Sequence, residues 1–321
     1  MRAALIVAHR RGGSGGPHRP HTAVPQHQYR EQKEENPSMP TSTAPGKTWP
    51  ELKSTYEKDG SCRLPYQFDG ASVELLRQRV ADISRQRRPE VVHEKDSDVV
   101  RAIHGCHEFD DVCAALVRHP RLVELAETLI GAPVYVYQFK VNLKQALEGA
   151  AWPWHQDFAF WSEEDAMPRP DAINFAIPLD EVHEENGPLV VIPGSHTMGL
   201  FDLPEKSADS TSDWRQHVSN DLAYTVDAER AEQLITEQGK SVILGRAGSL
   251  HAFHPSIVHC SSNNRSADRR ALLLITYNAV DNAPANPTRP AFLVGRDSTP
   301  ITARHDDRLA LEPVTDGSLD G

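Results

Sequence analysis

The chain has 321 residues, of which 39% are hydrophobic and 25% are charged, and its formal net charge is −11. These values are typical of a soluble globular protein of one large or two small domains. The acidic charge argues against binding to nucleic acid, and no apolar run approaches the roughly 18 residues of a membrane-spanning helix, so we expect neither partner. The four cysteines lack Cys-x-x-Cys spacing, which favours a reducing cytoplasm.

The first 48 residues are rich in Arg, His, Pro, Gly and Ser and show no hydrophobic period. Such a segment cannot bury enough apolar surface to offset the entropy lost on ordering. We therefore expect residues 1–48 to be a disordered extension. A more usual N-terminal sequence begins at Met39, which leaves open whether residues 1–38 belong to the native protein.

Helical spacing dominates the next stretch, and we predict a mostly helical region at 49–131. After a first helix beginning near Trp49, Ser72 is a suitable N-cap for a second helix with apolar residues at positions 73, 76, 80 and 83. Two further helices are predicted at about 110–118 and 121–130, the last ended by Gly131.

Beyond Pro133 the hydrophobic period changes from 3.6 to 2, and Pro, Gly and Asn separate short apolar runs. Many short strands with such punctuation indicate an all-β barrel or sandwich. We predict a single domain over 49–321, mainly β with flanking helices, with the β core at 133–280 and a lid-like insert at 197–235. The predicted strands are 134–143, 153–160, 172–179, 188–193, 241–245, 249–259 and 271–279.

The first of these strands alternates in polarity. One face carries Tyr135, Tyr137, Phe139, Val141 and Leu143, and the other carries Gln138, Lys140 and Asn142. A polar face in the middle of a barrel either meets solvent or lines a cavity, and the pattern alone leaves both open.

A candidate metal pair lies in the aromatic run Trp152 to Trp161, where His155 and Asp157 stand two residues apart. If this run is a strand, both side chains point to one face, about 6.5 Å apart along the chain, and can converge on one ion. A single His-x-Asp is a weak signal, so a third ligand is needed.

Three histidines, His251, His254 and His259, are candidates for that ligand. In one regular strand, the first and the last lie roughly 26 Å apart and cannot share an ion, so at most one of the three binds the metal. The cluster His104-Gly105-Cys106-His107 also looks like a metal motif, but it has no partner pair, and we interpret it as structural.

Arg270 opens the apolar strand that follows and shares a face with Leu272 and Leu274. A guanidinium in an apolar interior is unfavourable unless an anion meets it. A cation beside two His and one carboxylate suggests Fe(II) with open positions for a 2-oxo acid and O₂. Zinc is the competing metal.

At this point the sequence resembles the phytanoyl-CoA dioxygenase superfamily, from about Trp49 to the end. The resemblance implies a double-stranded β-helix core (jelly-roll, cupin-like), Fe(II), 2-oxoglutarate and O₂ as cofactors, and ascorbate as an activator in vitro. The motifs that carry it are Trp154-His155-Gln156-Asp157-Phe158, Asn186-Gly187-Pro188-Leu189, Ile192-Pro193-Gly194-Ser195-His196 and Phe253-His254-Pro255-Ser256-Ile257-Val258-His259, with Arg270 eleven residues on.

Other segments are similar to hydroxylases of small polar substrates. Gln138 to Asn142 and Asp165 to Pro170 are similar to ectoine hydroxylase, and Ile275 to Pro284 is similar to free-leucine 5-hydroxylases of peptide antibiotic pathways. This implies hydroxylation of an unactivated C–H of a free, leucine-like aliphatic L-amino acid, with ectoine or another amino-acid derivative as the alternative. Asp157 favours hydroxylation, because related halogenases have a small residue there.

The resemblance also assigns roles to single residues. His155, Asp157 and His259 match the iron ligands, and Arg270 matches the arginine that binds the distal carboxylate of 2-oxoglutarate. Further matches are cofactor contacts at Asn142, Ser261 and, less closely, Trp152, and substrate contacts at Gln138 and Trp161. We expect a small-molecule substrate and a monomer or homodimer. A zinc-dependent hydrolase and a non-catalytic barrel that binds a ligand are the rival classes.

Overall fold

The computed structural model describes residues 48–95, 97–201, 214, 218 and 222–314. The disorder predicted for residues 1–48 therefore falls almost wholly outside the described residues, as does much of the predicted lid-like insert. The described helices are α1 (Trp49–Asp59), α2 (Gly70–Ser84), α3 (Asp111–Val117), α4 (Pro120–Ile130), α5 (Asp157–Asp165) and α6 (Ala228–Gln238).

Twelve strands are described, and they form two sheets in which every pairing is antiparallel. The large sheet has the order β12-β1-β9-β6-β11-β4-β3-β2, and the small sheet has the order β5-β10-β7-β8. The strands are β1 (Ser61–Phe68), β2 (Val91–His93), β3 (Val100–His104), β4 (Val134–Lys144), β5 (Trp152–His155), β6 (Ala172–Pro178), β7 (Leu189–Val191), β8 (Ser241–Ile243), β9 (Ser249–Phe253), β10 (His259–Ser261), β11 (Arg270–Ala279) and β12 (Leu311–Pro313).

Two apolar layers position the sheets. On one face of the large sheet, helices α1 to α4 pack into a core that includes Leu76 of α2, Leu122 of α4 and Leu273 of β11. A second core lies between the sheets, where Leu274 of the large sheet packs with Val191 of the small one. This arrangement confirms the predicted jelly roll with flanking helices.

The prediction of a mostly helical region at 49–131 is only partly right. Helices α2, α3 and α4 lie where they were predicted, but β1, β2 and β3 also belong to this region. Strand β1 escaped prediction because Pro65 lies inside it, and proline normally argues against a central strand. The pairing of β1 with β9 accommodates the proline through a register shift between Leu64 and Gln67.

Two predicted strands are each divided by a change of direction. The chain predicted as a strand over 153–160 forms β5 up to His155 and then helix α5 from Asp157. The chain predicted as a strand over 249–259 forms β9 in the large sheet and, after a turn, β10 in the small sheet. The distance estimate that assumed one regular strand is therefore wrong.

Strand β4 contains an irregularity that changes which residues share a face. Its pairing with β11 shifts register between Gln138 and Val136, so Tyr137 has no paired position there. As a result, Phe139 and Val141 join the core beneath the helices, whereas Tyr137 joins a separate cluster with Trp161. The prediction that all five apolar residues of this strand face one way is wrong.

Candidate active site

A cavity lies between the two sheets, and the polar face of β4 lines it with Gln138, Lys140 and Asn142. This settles the alternative left open by the sequence, because these residues face the cavity and not the outer solvent. Two described residues of the predicted lid-like insert, Val218 and Leu222, also line the cavity. The role of the insert as a lid stays a prediction.

His155, Asp157 and His259 meet in this cavity, and all three are buried. Their candidate donor atoms lie within 4.8 Å of one another, and no other such group of three occurs among the residues that the structure describes. Each histidine Nε2 lies 4.0 Å from an oxygen of the Asp157 carboxylate. One ion placed between these atoms would contact all three, with an imidazole–imidazole–carboxylate donor set suited to Fe(II).

The backbone fixes which nitrogen of each histidine faces the centre. The Nδ1 of His155 lies 2.7 Å from the carbonyl of Pro153, and the Nδ1 of His259 lies 2.9 Å from the carbonyl of Ile257. A carbonyl can only accept, so Nδ1 carries the proton and Nε2 keeps its lone pair for a metal. Burial lowers the pKa of both imidazoles, that of His155 to about 3, which keeps them neutral.

Two side chains hold the Asp157 carboxylate, and this role was not predicted from the sequence for either of them. Lys140 Nζ lies 3.3 Å from Oδ1, and Asn174 Nδ2 donates to Oδ2 at 2.9 Å. Thr276 in turn donates to Asn174 Oδ1 at 2.6 Å. Burial alone would raise the pKa of Asp157, but Lys140 and the two histidines outweigh it and lower the pKa to about 2, so the carboxylate stays ionised.

The triad therefore forms differently from the way the sequence suggested. His155 and Asp157 do not share a face of one strand, because His155 ends β5 and Asp157 begins α5. His259 lies directly opposite His155 in the β5–β10 pairing. His251 and His254 do not line the cavity; His254 instead lies near the ring of His196.

Arg270 lines the cavity from β11 and is 2% exposed. One of its terminal nitrogens donates to the carbonyl of Gly187, and its buried Nε has no hydrogen-bond partner. Its Cα partner across the β4–β11 pairing is Lys144, whose ammonium donates to the carbonyl of Ser262. Burial, and then the charge of Arg270, lowers the pKa of Lys144 to about 6.

A buried guanidinium with an open donor, as at Arg270, suits an anionic ligand such as a carboxylate. Ser261 and Asn142 line the same cavity, and the buried Oδ1 of Asn142 has no partner. Trp152 also lines the cavity, with the guanidinium of Arg101 3.9 Å above its ring. Lys144 was not identified from the sequence, because its importance follows only from its pairing with Arg270.

Gln138 and Trp161, predicted as substrate contacts, both line the cavity. Gln138 donates to the carbonyl of Leu293 at 2.8 Å, and Trp161 packs edge-on against Tyr137 at 5.0 Å between ring centroids. Three further residues, which were not predicted as site residues, line the cavity: His104, Arg289 and Leu293.

Arg289 is the third positively charged residue that lines the cavity, after Lys140 and Arg270, and its charge is paired with a carboxylate. Its Nε lies 3.1 and 3.2 Å from the two oxygens of Asp165, which also accepts from the Tyr137 hydroxyl at 2.5 Å. Arg289 lies beyond the last long strand, where no periodic pattern points to a cavity.

Comparison with known proteins agrees with this geometry. The family model for phytanoyl-CoA dioxygenase matches residues 56–272. The chain belongs to the phytanoyl-CoA dioxygenase family. This dioxygenase is 58% identical to L-proline trans-4-hydroxylase of Streptomyces griseoviridis over 260 residues, which cover 81% of this chain and 97% of that protein. It is 34% identical to ectoine dioxygenase of Bordetella parapertussis over 240 residues, 73% and 76% of the two chains.

Solved structures give the same relationship. The crystal structure of EctD from S. alaskensis with 2-oxoglutarate and 5-hydroxyectoine has a TM-score of 0.70 and 27% identity, over 84% of this chain and 92% of that one. The same protein with bound Fe has a TM-score of 0.69.

This protein is therefore an Fe(II)- and 2-oxoglutarate-dependent dioxygenase of the type that hydroxylates amino acids and their derivatives. The rival interpretations, a zinc-dependent hydrolase and a non-catalytic barrel, are wrong. None of the described helices is both long and apolar enough to cross a membrane. The cytoplasmic location and the oligomeric state stay predictions.

Proposed function

We propose that this dioxygenase hydroxylates free L-proline at C4, with trans configuration. The observation that carries the proposal is the 58% identity to L-proline trans-4-hydroxylase, which extends over 97% of that protein. The proposal replaces leucine with a cyclic amino acid of similar size as the first substrate to test.

The proposed iron ligands are His155, Asp157 and His259. With 2-oxoglutarate and O₂, bound Fe(II) supplies the oxidising chemistry that places one oxygen atom in a C–H bond and leaves succinate and CO₂. The two imidazoles present lone pairs from fixed Nε2 atoms, and Asp157 is kept ionised and oriented by Lys140 and Asn174.

The proposed site for the distal carboxylate of 2-oxoglutarate is Arg270, whose Cα partner in the β4–β11 pairing is Lys144. The unpartnered Nε of Arg270 supports this role, because a buried guanidinium nitrogen without an acceptor is costly until an anion supplies one. Ser261, Asn142 and Trp152 line the cavity near this end and stay proposed contacts.

The remaining part of the cavity suits a small zwitterion. Lys140 and Arg289 bring positive charge for a substrate carboxylate, while Trp161 and Leu293 provide apolar surface for a ring or an aliphatic side chain. Trp161 is 1% exposed and packed against Tyr137, so this wall is rigid. A rigid wall supports selective oxidation, because the choice of one C–H depends on placement to within ångströms.

Two other substrates stay in consideration. Ectoine is favoured by the identity to ectoine dioxygenases and by the likeness to EctD. Leucine, the substrate first expected from the residues that end β11, is supported by none of the relatives described above. A role in antibiotic biosynthesis depends on that same expectation.

A direct comparison of substrates tests the proposal. Purified protein with Fe(II), 2-oxoglutarate, ascorbate and air is supplied with L-proline, L-leucine or ectoine, and Asp157→Ala protein serves as the inactive control. We expect proline to gain one oxygen atom, by mass spectrometry, with equimolar succinate and the largest kcat/KM of the three. NMR of the product then assigns C4 and the trans configuration. A larger kcat/KM for leucine or ectoine would reject proline as the substrate.

A further inference from the structure

His104 is a buried residue of the cavity wall that the proposed chemistry does not use. It ends β3 and pairs with Lys140 of β4, so both side chains lie on the same face of the sheet. The side chain is 4% exposed and lines the cavity, yet its Nε2 has no hydrogen-bond partner. A buried polar atom without a partner is destabilising, which points to a ligand that supplies one.

The imidazole of His104 is neutral. Burial, together with the charges of Lys140 and Arg289, lowers its pKa to about 3. A neutral imidazole keeps one lone pair and can therefore accept a hydrogen bond. The interpretation of the His104 to His107 cluster as purely structural does not account for an unpartnered ring nitrogen in the cavity wall.

The protein donors around His104 are engaged elsewhere. Lys140 contacts the Asp157 carboxylate at 3.3 Å, and the guanidinium of Arg289 is bonded to Asp165 and Tyr137. Gln138 directs its amide nitrogen to the carbonyl of Leu293. Each of these contacts leaves His104 available to a molecule that enters the cavity.

A zwitterionic amino acid has a carboxylate and an ammonium group, and the cavity wall offers different groups to each. Lys140 and Arg289 can attract the carboxylate by their positive charge, although their present hydrogen bonds are made to protein groups. The carboxylates of Asp157 and Asp165 are already bonded to protein groups, so the unpartnered buried acceptors among the described residues of this wall are Nε2 of His104 and, toward Arg270, Oδ1 of Asn142. His104 is a neutral acceptor that adds no further positive charge to this wall.

We propose that Nε2 of His104 accepts a hydrogen bond from the substrate ammonium group and thereby makes the enzyme selective for substrates with an N–H beside the carboxylate. This inference rests on the proposed function only in that the substrate is an amino acid. It identifies His104 as a specificity-determining residue, with no part in binding iron or 2-oxoglutarate.

Two substitutions and one substrate analogue test the inference. His104→Phe keeps an aromatic ring without an acceptor, and His104→Gln places an amide oxygen near the position of Nε2. Tetrahydrofuran-2-carboxylate is the analogue, because it keeps the ring and carboxylate of proline but has no N–H. KM and kcat are measured from hydroxylated product and succinate.

We expect His104→Phe to raise the KM for L-proline roughly 10- to 100-fold and His104→Gln to raise it by less than about 5-fold, because a hydrogen bond to a charged group is lost only in the first. The KM for 2-oxoglutarate and the affinity for Fe(II) should not change. Wild-type enzyme should prefer proline to the oxygen analogue at least about 100-fold, and His104→Phe should lose most of that preference.

His251→Phe is the matched control, because His251 is another buried histidine whose pKa burial lowers to about 3, on a strand of the same sheet but outside the cavity lining. An equal rise in the proline KM in this control, or an unchanged preference in His104→Phe, would overturn the inference. If His104→Phe does not fold by thermal melting, the wild-type ratio decides, and equal use of proline and the oxygen analogue would refute it.

The outcome also separates this inference from the proposed function. If wild-type enzyme hydroxylates another amino acid in place of proline, only the proposed substrate fails, and the same variants are measured with that amino acid and its analogue without nitrogen. If it hydroxylates no amino acid, both proposals fail.

Discussion

Replacing Arg270 with lysine should weaken the use of 2-oxoglutarate. Arginine offers a planar fork that can hold a carboxylate with two bonds, whereas lysine offers one compact charge. Losing one charge-assisted bond costs about 1–3 kcal/mol, or roughly 5- to 150-fold in the KM for 2-oxoglutarate. We expect the upper part of that range, because burial lowers the pKa of the adjacent Lys144 to about 6, and a lysine at position 270 would lose its charge for the same reason.

The assay measures the initial rate of succinate formation against 2-oxoglutarate concentration at saturating amino acid. Arg269→Lys is the matched control, because the side chain of Arg269 is 52% exposed and its Nε lies 3.5 Å from Asp180. That change should alter the KM for 2-oxoglutarate less than about 2-fold, in keeping with the small contribution of exposed ion pairs. Equal effects of the two substitutions, or a rise only in the KM for the amino acid, would refute the assignment of Arg270.

Single alanine substitutions of the three proposed iron ligands should abolish turnover and weaken Fe(II) binding in an anaerobic titration, whereas His251→Ala and His254→Ala should leave iron binding largely intact. Asn174→Leu should lower Fe(II) affinity roughly 10- to 100-fold, because the Asp157 carboxylate loses its 2.9 Å bond; an unchanged affinity would show that this bond is dispensable. Removing residues 1–38 should leave activity and Tm unchanged, because their sequence lacks the pattern of a core element, and a loss of several degrees would contradict this.

Local patterns were sufficient for the elements whose environment is periodic. The apolar spacing of α2 predicted that helix to within three residues at its start, because one face packs against a single apolar layer, but the N-cap is Asp69 and not the predicted Ser72. The polar face of β4 was likewise visible in the sequence as alternation at Gln138, Lys140 and Asn142. Such patterns identify a polar face, but they do not show whether that face contacts solvent or lines a cavity.

The errors arose where tertiary packing overrides local preference. The aromatic run from Phe158 to Trp161 has high strand propensity, yet it forms helix α5 because Phe158, Phe160 and Trp161 are all buried there. The place of His104 in the cavity wall was not foreseen, because the alignment of β3 with β4 cannot be read from either strand alone. Residues brought in by pairing, such as Asn174 and Lys144, carry no local signal of their own.

The residues proposed to bind the metal, 2-oxoglutarate and the substrate come from different elements of the cavity wall. The proposed iron ligands come from the end of β5, the start of α5 and the start of β10, and the proposed 2-oxoglutarate site comes from the paired ends of β4 and β11. The wall assigned to the substrate draws instead on His104 of β3 and on Arg289 and Leu293, which follow the last long strand. Lys140 belongs to both regions, because it contacts Asp157 and is paired with His104. We therefore expect changes at β3 or the 289–293 segment to alter the substrate and leave the affinity for Fe(II) unchanged, and a change at Lys140 to alter both.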